Sequence, residues 1–155
     1  MPSLPRPRLW VGLLFTILWI GSADLHAQAP FGVRLGGSAD PGQFYFGVHT
    51  ESEPLIRGVR FRPNVEAGFG DNRTIIAING EFIRRFDIED GFATYVGAGP
   101  ALNIVSLNSP FDDTDVGPGV NFLLGLDFPQ GVFTEVKIGV IDSPGFKFGV
   151  GYTFP

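Results

Sequence analysis

Few residues of this chain are equipped for bond-making chemistry. His49, followed by Thr50 and Glu51, is one of only two histidines, and cysteine is absent. A His/Cys metal centre needs three or four such ligands, so the sequence excludes one. Phe111-Asp112-Asp113-Thr114-Asp115 clusters carboxylates of the kind Ca²⁺ favours. It lacks the spaced ligands and distal Glu of a calcium loop and reads as a solvated external loop. His49 reads as a satisfied interior or rim histidine. What remains is a set of charges scattered through apolar and glycine-rich runs: Arg60, Arg62, Glu66, Glu81, Asp127, Glu135, Lys137 and Lys147. Their available chemistry is ion pairing, and nothing in the chain calls for a cofactor.

The elements that carry these charges alternate with a period of two, which sends successive side chains to opposite faces of a strand. The clearest case is Gly131 to Pro155, where two alternating runs flank the turn Asp142-Ser143-Pro144-Gly145. Val132, Thr134, Val136, Ile138 and Val140 share one face, against Phe133, Glu135, Lys137 and Gly139. Phe146, Phe148, Val150, Tyr152 and Phe154 share the next, against Lys147, Gly149, Gly151 and Thr153. Upstream, strands are expected at Phe31 to Gly37, Gln43 to Glu51, Val59 to Phe69, Thr74 to Phe86, Phe92 to Val105 and Gly119 to Phe128. Turn formers separate them. In the fourth strand Ile75 and Ile76 blur the phase, and Ile76, Ile78 and Phe82 are assigned to the apolar side. Pro100 suggests a bulge in the fifth, and Ser106 to Gly117 is the longest connection. About eight strands joined to their sequential neighbours make an up-and-down meander.

Residues 1–29 read differently. Arg6 and Arg8 precede an apolar run from Leu9 to Ile20, and Ala27-Gln28-Ala29 supplies a small-x-small site, so cleavage is expected after Ala29. Twelve apolar residues fall short of the roughly 20 a membrane helix needs. Residues 30–155 then form one domain, with nine Lys or Arg against fifteen Asp or Glu. Phosphate binding requires clustered cations, so nucleic acid is excluded as a partner. Charged residues make up 17% of the chain, below the roughly 25% usual for soluble domains, and glycine and phenylalanine are abundant. Many strands with little water-facing surface account for all three departures.

Two architectures fit this alternation. A soluble barrel or sandwich turns its apolar face inward, with an apolar ligand as the natural occupant. A transmembrane barrel turns that face to lipid and keeps polar groups inside. On the clearest strands Thr134 is the one polar residue of the apolar face. The opposite face mixes Arg, Lys, Glu and Asp in near balance with repeated glycine, and only Leu123 and Phe133 break it. A solvated strand face avoids glycine, whereas a narrow eight-stranded interior is crowded with side chains and needs small residues beside large ones. The transmembrane arrangement is therefore expected, with the eight charges named above as an interior plug of ion pairs rather than an open pore. Phe69, Phe128, Phe146, Tyr152 and Phe154 would sit at the interfaces.

The export signal, the eight-strand meander and the close Phe146-Lys147-Phe148-Gly149-Val150-Gly151-Tyr152-Thr153-Phe154 resemble the small outer-membrane β-barrel family, which includes opacity-type and OmpA-like barrels. The resemblance implies an eight-stranded antiparallel barrel in the outer membrane, both termini periplasmic, with a structural or surface-interaction role. It also implies that the last strand, ending in an aromatic residue, is read by the barrel-assembly machinery. Phe154 matches that signal, although Pro155 follows it. Some barrels of this class modify lipids with a His base and a Ser nucleophile. No Ser lies two residues beyond His49, and no catalysis is expected.

Overall fold

The computed structural model describes residues 29–70, 72–107 and 114–155. The proposed leader and its Ala27-Gln28-Ala29 site, except Ala29 itself, lie outside the described residues, as do Asp112 and Asp113. Eight antiparallel strands close into a barrel in sequence order: β1 (Phe31–Ala39), β2 (Gln43–Thr50), β3 (Val59–Gly70), β4 (Arg73–Asp87), β5 (Ala93–Leu107), β6 (Thr114–Asp127), β7 (Val132–Ile141) and β8 (Phe146–Phe154). β1 closes the circle by pairing with both β2 and β8, from Phe31 opposite Phe154 to Ala39 opposite Phe146. Closure leaves no unpaired edge, which a strand in hydrocarbon could not tolerate.

The period-two pattern decides the radial order, and it is the inverse of a soluble core. Leu35, Phe46, Phe122, Leu124, Ile138 and Phe148 face outward and are half exposed. Arg34, Arg62, Glu66, Glu81, Glu135 and Lys137 face the axis and are at most 3% exposed. β4 takes the expected phase, with Ile78 and Phe82 out and Asn79 and Glu81 in. Its inward Ile83 meets Tyr95 and Leu123 in a small apolar cluster inside the barrel. Leu123, an exception on the polar face, thus has a packing role.

Glycine lets the wide rings lie flat across such a narrow lumen. Gly125 is the register partner of Tyr95, and a Cβ there would fall within the phenol ring. Gly149 on β8, two strands away, likewise leaves room for the Tyr45 hydroxyl, which a Cβ there would meet. A lumen this narrow holds large and small side chains side by side.

Two local expectations are corrected. β6 begins at Thr114, not Gly119, so the β5–β6 connection is shorter than expected and Asp115 belongs to a strand. Thr114 to Pro118 carries turn chemistry, but pairing with Leu102 to Ser106 of β5 overrides it. Pro100 makes no bulge. Asn79 opposite Ala101 and Phe82 opposite Ala98 keep one register on either side of it. Pro100 faces outward where the β4 ladder lapses, which suits a residue without an N–H.

Candidate functional site

The buried charges form one connected network along the barrel axis. Lys137 on β7 reaches across the lumen to Glu66 Oε1 on β3 at 2.7 Å and Glu81 Oε1 on β4 at 2.6 Å. Arg34 on β1 approaches Glu135 Oε1 at 2.9 Å and Glu66 Oε1 at 3.5 Å. Lys147 on β8 holds the second oxygen of Glu66. Toward the end of the barrel that bears the termini, Arg62 joins Glu135 Oε2 at 3.1 Å to Glu51 Oε2 at 3.2 Å. Arg85 continues the chain from Glu51, at 3.0 Å, to Asp127. The buried members are four cations (Arg34, Arg62, Lys137, Lys147) and four anions (Glu51, Glu66, Glu81, Glu135).

That balance is what makes the interior tenable. An isolated ion in a low-dielectric environment carries a desolvation penalty of several kcal/mol, offset only by close and well-oriented partners. Aromatic and neutral groups complete the contacts. Tyr95 donates to Glu135 Oε2 at 2.7 Å, and the Arg62 guanidinium lies 4.5 Å from the Tyr95 ring centroid. Asn121 donates to Asn79 at 2.9 Å, and Asn79 to Asn64 at 2.7 Å. A small recess of about 10 Å³ beside Tyr45, Glu66 and Lys147 has room for a single water.

Of the eight charges singled out from sequence, Arg62, Glu66, Glu81, Glu135, Lys137 and Lys147 meet inside the wall. Arg60 and Asp127 stand at the mouth on the termini side instead. Arg60 is about a quarter exposed and contacts Glu51 at 3.4 Å, while Asp127 pairs with Arg85. Sequence reasoning passed over Arg34 and Glu51 as partners. Both carry the inward phase, Arg34 between Val33 and Leu35 and Glu51 two residues after His49, so the alternation contained the signal.

Glu51 follows the end of β2 and is the hub of that mouth. Burial opposes its charge, but Arg62, Arg85 and Arg60 outweigh it and hold the carboxyl below its ordinary range. A carboxylate depressed in the folded state adds stability above its unfolded pKa of roughly 4.3, and that contribution disappears as pH falls through the folded value. The barrel should therefore lose unfolding free energy between neutral pH and about pH 3. Glu51→Gln should flatten that acid limb, measured by urea unfolding at the two pH values. An unchanged acid limb in the variant would remove Glu51 from this role.

His49 is buried in the lumen, its Nε2 3.2 Å from Thr153 Oγ1 and its ring edge-on to Phe133. Among the described residues its side-chain hydrogen bond goes to Thr153, and the residue is 3% exposed. Among the described residues no group of three His, Cys, Asp or Glu is placed to hold a metal ion. Phe154 faces outward and stacks on Phe31, with centroids 5.9 Å apart, and Ala29 lies just before β1.

No protein-family model and no curated protein matches the chain. Solved structures do. Neisserial surface protein A aligns with a TM-score of 0.60 at 15% identity, covering 81% of this chain and 96% of that one. The N-terminal β-barrel domain of Pseudomonas aeruginosa OprF gives 0.56 at 16%, covering 81% and 98%. The outer membrane enzyme PagL gives 0.51 at 12%, covering 82% and 99%. With an apolar outer wall, a charged lumen and closure in sequence order, this chain has the fold of the small eight-stranded outer-membrane β-barrels.

Proposed function

We propose that the protein is an integral outer-membrane barrel, exported by a cleaved leader ending at Ala29, with a structural or surface-interaction role and no catalytic one. The observation that carries this reading is the inverted radial order. The wall offers water an almost wholly apolar face, while the axis is filled by a neutral ion-pair network. A contiguous apolar band of this extent has no place in water, and hydrocarbon is its natural solvent. Aromatic residues near both rims, Phe31 stacked on Phe154 at one and Phe44 opposite Phe69 at the other, suit the two interfaces. The partners are then membrane lipid along the wall and the assembly machinery at the last strand through Phe154.

A water-soluble barrel carrying an apolar ligand is disfavoured, because ionised side chains occupy the lumen. PagL is an enzyme with this fold, but fold does not carry function. The enclosed His49 supports the non-catalytic reading.

Membrane fractionation with gel mobility tests the proposal. The mature chain should sediment with outer membranes, require detergent for solubility, and migrate differently before and after boiling. A monomer soluble in plain buffer would reject it.

A further inference from the structure

Among the described residues, the outward positions of the eight strands carry one charge, Arg84 on β4. Its surroundings are apolar. Val59 and Val96 are its register partners on β3 and β5, and Phe82 and Phe86 flank it along its own strand. A guanidinium in hydrocarbon is strongly disfavoured, and the penalty fades only near the headgroups. Arg84 lies three residues before β4 ends at Asp87, roughly 10 Å of strand before tilt shortens the height. Its stem can run along the wall toward the rim, and its guanidinium sits 5.3 Å from the Phe86 ring centroid.

The rim below it is built for an interface. The turn leading into Val59 exposes Arg57, preceded by Leu55 and Ile56, which are 55% and 79% exposed. Ile88, just past the end of β4, is 57% exposed. Apolar tips beside arginine, at the edge of an apolar wall, match an element seated at the headgroup boundary. Carboxylates stand past the end of β4, on the turn closed by Ile88 N–H to Phe92 O: Glu89 and Asp90, both exposed. Along β4 and the turn after it, the order from hydrocarbon outward is apolar wall, guanidinium of Arg84, carboxylate.

We infer that the feet of β3 and β4 seat a phospholipid with a phosphoethanolamine-type headgroup. Arg84 and Arg57 donate to the phosphodiester, and Glu89 and Asp90 face the ammonium beyond it. This inference rests on the membrane reading above. A purely anionic headgroup would satisfy the arginines but meet the carboxylates. A second copy docked two-fold through the same patch would set like charges against one another.

The test is native mass spectrometry of the mature barrel folded in detergent and offered equal amounts of phosphatidylethanolamine and phosphatidylglycerol with identical acyl chains. The wild type should retain phosphatidylethanolamine roughly fivefold to tenfold over phosphatidylglycerol, as expected for charge-assisted contacts. Arg57→Gln combined with Arg84→Gln should abolish the preference while leaving heat-modifiable mobility intact. Equal or greater retention of phosphatidylglycerol by the wild type would overturn the seat, and that comparison stands even if the variant fails to fold. So would a folded double variant with the wild-type preference, or a lipid-free dimer that Arg84→Gln dissociates. A barrel that is heat-modifiable and detergent-dependent but indifferent to headgroup sinks this inference alone. One soluble without detergent sinks both.

Discussion

Lys137→Met should lower the unfolding free energy of the barrel by about 3–5 kcal/mol, the usual penalty for removing one partner of a buried ion pair. Methionine fits the volume and removes the cation. Glu66 and Glu81 then lose their contacts at 2.7 and 2.6 Å, and Glu135 loses a neighbour at 3.5 Å. Arg34 and Lys147 are left facing three carboxylates in a water-poor lumen. Adding Glu81→Gln should restore part of the loss, because the double change removes one charge of each sign and the pair is coupled. Urea unfolding of the barrel refolded into lipid, followed by gel mobility, measures both. A loss under about 1 kcal/mol would match an exposed ion pair, not this network.

Leu35→Arg should cost about 2–4 kcal/mol in a bilayer, the range for a cation on the lipid face at mid-depth. Leu35 is the middle residue of β1, half exposed, with Phe46 and Val150 as its register partners at the centres of β2 and β8. The same change on a wall facing water would alter stability by no more than about 0.5 kcal/mol. The sign of the membrane argument is thus carried by a single side chain. Together, Leu35→Arg and Lys137→Met probe the two faces of one sheet.

How much of this could be read beforehand depended on whether a feature lives in alternation or in pairing. Strand phase is a local property, so the orientation of Val132 to Val140 and of Phe146 to Phe154 was legible. The doubtful phase of β4 followed from Asn79 and Glu81. Strand ends were less legible. Thr114 to Pro118 reads as a turn because of its own Pro and Gly, and only the partner strand β5 makes it extended. Partners across the lumen were not legible at all. Arg34 and Glu135 are 101 residues apart and meet only because closure of β1 on β8 brings both to the same height. Arg60 and Asp127 have the inward phase but lie near strand ends, so phase alone placed them too deep. Arg84 broke the outward pattern without notice, since one polar residue among apolar ones reads as noise until the wall is assembled.

The central claim concerns which face meets lipid, and the absence of cysteine makes it directly measurable. Val65→Cys places one nitroxide label at an outward position in the middle of β3. In the refolded barrel in bilayers, its electron paramagnetic resonance should show ready collision with dissolved oxygen and little with a water-soluble nickel chelate. A label at Val65 that the nickel chelate reaches more readily than oxygen would mean that the wall faces water, and the account would fail.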